Sequence, residues 1–107
     1  MENIINVTEH GRLRLIERVK CKRSKIEKLL NKVWASGYDE CHYANHKSLY
    51  KYLVNVRYNS GANRSIRVKG NMVYIFNLTG TVFVTCYDIP QKVIQDIKAK
   101  KKMVGKW

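Results

Sequence analysis

Proline occurs once, at Pro90, and the six glycines are scattered, with no Pro/Ser-rich linker, repeat or low-complexity block. Nothing divides the 107 residues, a length that suits one compact domain with a real core and is too short for two. No apolar run approaches the roughly 20 residues needed to span a bilayer. A mean hydropathy of -0.42 with 45% hydrophobic residues belongs to a soluble globular protein. The N-terminus, M-E-N-I-I-N-V-T, lacks the basic stretch, apolar core and small-residue cleavage site of a secretory signal.

Cysteine is scarce and odd in number. Cys21, Cys41 and Cys86 form no C-x-x-C pair, so neither a disulfide framework nor a thiolate zinc site is indicated. Reduced thiols and a cytosolic location are expected. Cys86, inside an apolar run, reads as a small buried hydrophobe. Cys41 with His42 and His46 is the one hint of a ligand cluster, with too few ligands at a recognisable spacing, so no metal or other cofactor is expected.

Acidic residues are also few. Eight Asp+Glu against 21 Lys+Arg leave a formal charge of +13, with a sequence pI near 9.9. A compact domain with that surplus gathers polyanions, and nucleic acid is the commonest in a cell. A membrane surface would call for a basic amphipathic helix with exposed aromatics or a lipidation signal, and neither is plain. An acidic protein partner stays open.

After a short extended I-I-N-V, Thr8 is a good N-cap and Glu9 suits the positive end of a first helix running to about Lys20. Gly11 in its first turn costs on the order of 1 kcal/mol relative to Ala, which argues for a close contact or for tolerance near a fraying end. Ser24 and Glu27 read as a capping box for a second helix, with Ile26, Leu29, Leu30, Val33 and Trp34 at helical spacing and Ser36-Gly37 as its close. Trp34 is expected in the core. A third helix follows Asn45 through K-S-L-Y-K-Y-L-V-N-V-R-Y. There Leu49, Leu53 and Val56 fit a helical face while Tyr52, Val54, Val56 and Tyr58 alternate as a strand would; the N-S-G-A-N break favours helix.

The remainder reads as a meander. Ser65 to Lys69, Met72 to Phe76 and Thr81 to Tyr87 are β-rich runs, separated by Gly70-Asn71 and Asn77-Leu78-Thr79-Gly80. Pro90 then opens a short C-terminal helix with Val93, Ile94 and Ile97 on its apolar edge. The expected class is α+β: N-terminal helices packed on a three-to-four-stranded antiparallel sheet, a short C-terminal helix, and a basic tail over 98–107.

If Thr8 to Val19 is helical, His10, Arg14, Glu17 and Arg18 fall on one stripe, and Leu13, Leu15, Ile16 and Val19 on the other side. With Leu15, Ile16 and Val19 against the sheet, the stripe would border Thr85, Tyr87 and Arg67 in a shallow basic groove. Thr81, Phe83, Thr85 and Tyr87 are expected on one face of the last strand, and Arg67 and Lys69 on one face of the first. RNA carries its own nucleophile, the 2′-hydroxyl, so a base or acid plus cations on the phosphate can cleave it without a metal. His10 suits the acid or base and Arg14 and Arg18 the phosphate clamps. Glu17 would orient an arginine or act as base, and Tyr87 would stack on a base or donate to phosphate. The same residues also fit a solvated ion-pair face on an ordinary helix. Arg12, Arg67, Lys69, Lys98, Lys100, Lys101 and Lys102 are the candidate nucleic-acid contacts; the tail lysines fit a solubilising end equally well. His42 and His46, four apart, fit surface decoration better than catalysis.

H-x-x-x-R-x-x-E-R at His10, Arg14, Glu17 and Arg18, a helical middle, and a strand closing as V-T-C-Y at Val84 to Tyr87 resemble the small BrnT-like proteins, which share the RelE-type and barnase/EndoU/colicin ribonuclease fold. The likeness covers nearly the whole chain in element order. It implies a toxin-like, metal-independent endoribonuclease of the mRNA interferase type, with His10, Arg14, Arg18, Thr85 and Tyr87 in the active-site region. RNA, free or on the ribosome, would be the substrate, and an acidic antitoxin would cover the groove. Cys86 departs from the aliphatic residue usual there, and the Asn45 to Tyr58 segment is longer than in the minimal toxins. Fold likeness does not fix activity. The alternative is a non-catalytic basic module from a phage or mobile element that binds RNA, DNA or a host protein.

Overall fold

The computed structural model describes residues 4–43, 47–61 and 63–93. Asn45, His46 and the tail lysines Lys98, Lys100, Lys101 and Lys102 lie outside them. The class is α+β, with four strands and three main helices among the described residues. Among the described residues no helix is long and apolar enough to cross a membrane.

A short strand β1 (Asn6–Val7) leads into α1 (Glu9–Arg14), and the same helix continues as a π-helical segment, Leu15–Val19. Thr8 is its N-cap, with Oγ1 accepting from the Gly11 N–H at 3.0 Å, as the sequence predicts. Lys20 ends it in the left-handed conformation. Leu15 is fully buried and Val19 packs against the core, whereas Leu13, expected beside them, stands 51% exposed. α2 (Ile26–Ser36) is preceded by a 3-10 turn, Arg23–Lys25, and neither start has a side-chain cap. The capping box does not form, because Ser24 sits inside the 3-10 turn and not at the extended position a cap requires. Gly37 closes α2 as expected. A 3-10 turn, Glu40–Tyr43, precedes α3 (Lys47–Asn59), so the segment whose periodicity is ambiguous is helical.

Three strands follow: β2 (Arg64–Lys69), β3 (Met72–Asn77) and β4 (Val82–Asp88). The sheet order is β1-β4-β3-β2, antiparallel except for β1, which runs parallel to β4 through Asn6 and Val7. Gly70 turns β2 into β3 with φ 61, and the Asn77 carboxamide pins the next turn by accepting from the N–H groups of Thr81 at 2.9 Å and Val82 at 3.1 Å. After Pro90, residues 91–93 are helical, with Val93 N–H donating to Pro90 O at 3.0 Å, and Ile94 and Ile97 lie outside the described residues.

Both faces of the sheet are covered. On one, Met72, Tyr74, Phe76, Phe83 and Cys86 pack with Leu15, Ile26, Leu30 and Val33 from α2 and the first helix. On the other, Ile66, Val68, Val73 and Ile75 pack with Leu49 and Leu53 of α3. This double burial explains why β3 reads as a continuous apolar run and not as an alternation. Trp34 meets Phe76 edge-on, ring centroids 5.2 Å apart, and its indole lies over Gly80, where any Cβ would collide with the ring.

The β3/β4 register slips between Ile75 and Phe76: Ile75 pairs with Thr85, but Phe76 pairs with Phe83. The extra residue, Val84, is a bulge. It corrects the expectation that Phe83, Thr85 and Tyr87 share a face. Phe83 joins the α2 side, whereas Thr85 and Tyr87, opposite Ile75 and Val73, belong to the α3 side.

Candidate nucleic-acid interface

β1 pairs with β4 only at Val82 and Phe83, so among the described residues no strand lies beside the rest of the outer edge of β4. The first helix covers that edge instead. Thr8 donates its N–H to Phe83 O at 3.2 Å and its hydroxyl to Val84 O at 2.9 Å. Further along, an Arg18 terminal nitrogen donates to Cys86 O at 2.7 Å, taking the place of a neighbouring strand's N–H. The Arg18 guanidinium also lies over the Tyr87 ring, 5.6 Å from its centroid.

The predicted stripe forms on the outer side of this helix. Arg14 Nε donates to His10 Nε2 at 3.4 Å, and Arg14 NH1 donates to Glu17 Oε2 at 3.1 Å. In this geometry His10 Nε2 is an acceptor, so the neutral ring carries its proton on Nδ1. Arg14 and Glu17 side chains are 35% and 57% exposed, so the pair stands in water and contributes little to stability. His10, Arg14, Glu17, Arg18 and Tyr87 thus share one ridge, as the sequence predicts.

Several other predicted participants are elsewhere. Thr85 is 4% exposed and its hydroxyl is buried with no hydrogen-bond partner among the described residues, so it cannot touch a substrate on this ridge. Arg67 lies on the α2 face at the opposite edge of the sheet, stacked on Trp34 at 4.0 Å and donating to Trp34 O, Ser65 Oγ and Ile66 O. Lys69 follows it and donates to Ser36 Oγ at 3.1 Å. The bulge and the sheet order separate these two from Tyr87, so no groove joins Arg67 to the helix. Arg12 faces a separate hollow of about 430 Å³ shared with Arg23, Asn6 and Glu27. His42 stacks on Tyr38, centroids 3.9 Å apart. Cys41 is exposed, and burial pushes the Cys86 thiol up to about 11. Among the described residues no cluster of His, Cys, Asp and Glu could hold a metal ion.

What the sequence did not reveal is the contribution of α3. Tyr52, Asn55, Val56, Asn59 and Ser60 line a depression of about 300 Å³ whose remaining wall is Tyr87. Tyr52 donates its hydroxyl to Asp88 O at 3.2 Å, and burial raises its pKa. The signal was present, since Tyr52, Asn55, Val56 and Asn59 recur at i, i+3, i+4 and i+7. It becomes legible only once the segment is known to be helical. Tyr87 links the depression to Arg18, and so to the Arg14 ridge. The surface runs from an imidazole through two guanidiniums to a hollow bounded by two phenols and two carboxamides.

No family model matches this sequence, and no curated protein or solved structure matches it, so the likeness to BrnT-like proteins rests on the short motifs quoted above.

Proposed function

We propose that this chain binds RNA along the His10 to Tyr87 ridge and cleaves it as a metal-independent endoribonuclease of the toxin type. The observation that carries this reading is the contact of Arg18 with Tyr87, which joins a phosphate-binding stripe to a hollow suited to a base. Guanidiniums neutralise phosphate, phenols stack on bases, and carboxamides such as those of Asn55 and Asn59 address base edges. The net charge of +13 supplies the long-range attraction.

In the reaction, Arg14 Nε leaves His10 Nε2 for the phosphate, which frees that lone pair to take the proton of the 2′-hydroxyl, and the 2′-oxygen attacks phosphorus. The O2′–P bond forms as the P–O5′ bond breaks, and the departing 5′-oxygen takes a proton from solvent, which reaches this exposed ridge. The products are a 2′,3′-cyclic phosphate and a 5′-hydroxyl. Arg14, held by Glu17, neutralises the charge on the non-bridging oxygens. Thr85 has no part in this scheme. The test is incubation of RNA with the purified protein in EDTA, beside His10→Ala and Arg14→Ala. Cleavage by wild type that both variants lose supports the proposal, and intact RNA at high protein concentration refutes it.

A second reading, a module that binds RNA without cutting it, is favoured by the tie between Arg18 and Cys86 O, which turns one of the two clamps to structural work. It predicts binding that weakens steeply with salt and leaves the RNA intact.

A further inference from the structure

Away from the His10 ridge, the π-helical end of the first helix and the outer side of α2 enclose a trough of about 520 Å³. Its apolar floor is Val19, Cys21 and Leu29, each half-buried. Its rim is Lys20, Lys22, Lys25, Lys28 and Lys32, all exposed. Helical spacing produces the arrangement on α2, since Lys28, Leu29 and Lys32 fall on one side of the helix, with Lys25 at its N-cap. The linker Lys20-Cys21-Lys22 adds the other two lysines by way of the left-handed turn at Lys20.

No described lining residue is acidic, and none of the five lysines forms an ion pair with a described residue. Five like charges around one hollow repel one another, and a bound anion relieves that repulsion. The floor decides what kind of anion. Among the described residues it contains no aromatic ring, so it offers a base nothing to stack on, whereas aliphatic side chains inserted from a partner would cover Val19 and Leu29 and leave water behind.

We propose that this trough is a docking site for an acidic, amphipathic segment of a partner protein, its aliphatic residues seated on Val19 and Leu29 and its carboxylates on the lysine rim. The proposal does not depend on whether the His10 ridge acts on RNA, because the two surfaces share no residue.

The probe is a fluorescent amphipathic peptide with leucines on one helical face and glutamates on the other, used beside a control with every leucine replaced by serine. Anisotropy should show binding of the leucine peptide that weakens by at least about tenfold in the double variant Lys28→Glu, Lys32→Glu, and a control that binds wild type at least about tenfold more weakly. Both substitutions are at exposed positions, so circular dichroism should be unchanged. Absence of binding, equal binding of the two peptides, or indifference to the charge reversal overturns the proposal. Loss of uridine-oligonucleotide or anionic-vesicle binding in the same variant, with peptide binding retained, assigns the trough to nucleic acid or lipid and overturns it as well.

Discussion

Gly11 faces the carbonyl of Val84 so closely that a β-carbon at position 11 would stand 2.8 Å from that oxygen and 2.9 Å from Phe83 Cδ2. Of the two explanations the sequence leaves open for this glycine, close contact is the one realised. Gly11→Ala therefore destabilises the fold, by about 1–3 kcal/mol. The check is the midpoint of urea unfolding, and a wild-type midpoint in the alanine variant would contradict this packing.

His10 and the Arg14–Glu17 pair stand in solvent. His10→Ala and Arg14→Ala are expected to change stability by less than about 0.5 kcal/mol while lowering the proposed RNA cleavage at least about 100-fold. Unfolding curves and cleavage rates measured on the same preparations separate the two effects.

Thr85 gives the opposite pattern. Its hydroxyl is buried without a partner among the described residues, so Thr85→Val should be neutral or stabilising by up to about 1 kcal/mol and should leave the proposed RNA cleavage unchanged. A cleavage defect in a folded Thr85→Val variant would restore this residue to the site.

Cys86 makes stability depend on alkaline pH. Its thiol, ordinarily near 9.0, is pushed by burial up to about 11, with Asp88 adding to the rise and Arg18 and Arg14 opposing it. The folded state thus holds the proton more tightly than the unfolded chain. That advantage is complete below about pH 9 and is lost as pH rises from about 9 to 11, a loss of order 3 kcal/mol. Urea unfolding across this range should show a steeper decline for wild type than for Cys86→Ala; parallel declines would contradict the assignment.

The helices and hairpins were readable because each rests on a local device. Thr8 offers a cap, Leu30 and Val33 repeat at helical spacing, and Gly70 and Asn77 mark turns whose geometry they also build. The stripe from His10 to Arg18 was readable for the same reason, since it lies on one continuous helix. The composition of the site was less legible because it depends on pairing between distant segments. A single unpaired residue at Val84 moves Thr85 and Tyr87 to the other side of the sheet from Phe83, and nothing local to V-F-V-T-C-Y announces it. Alternation alone places Arg67 beside the groove; the sheet order puts β2 at the far edge, where Trp34 claims its guanidinium. The failed capping box at Ser24 shows a local device overridden by a tighter turn.

The cover that the first helix gives β4 bears on how this protein behaves in a crowd of its own copies. A bare strand edge invites another chain to add itself, the route to open-ended assemblies. At Cys86 that invitation is refused by one side chain, Arg18, and not by a backbone. Arg18→Ala should therefore yield molecules that self-associate with rising concentration, and Arg18→Lys, which can still reach the carbonyl, should do so less. In this fold, one side chain of the exposed helix is also a guard against polymerisation.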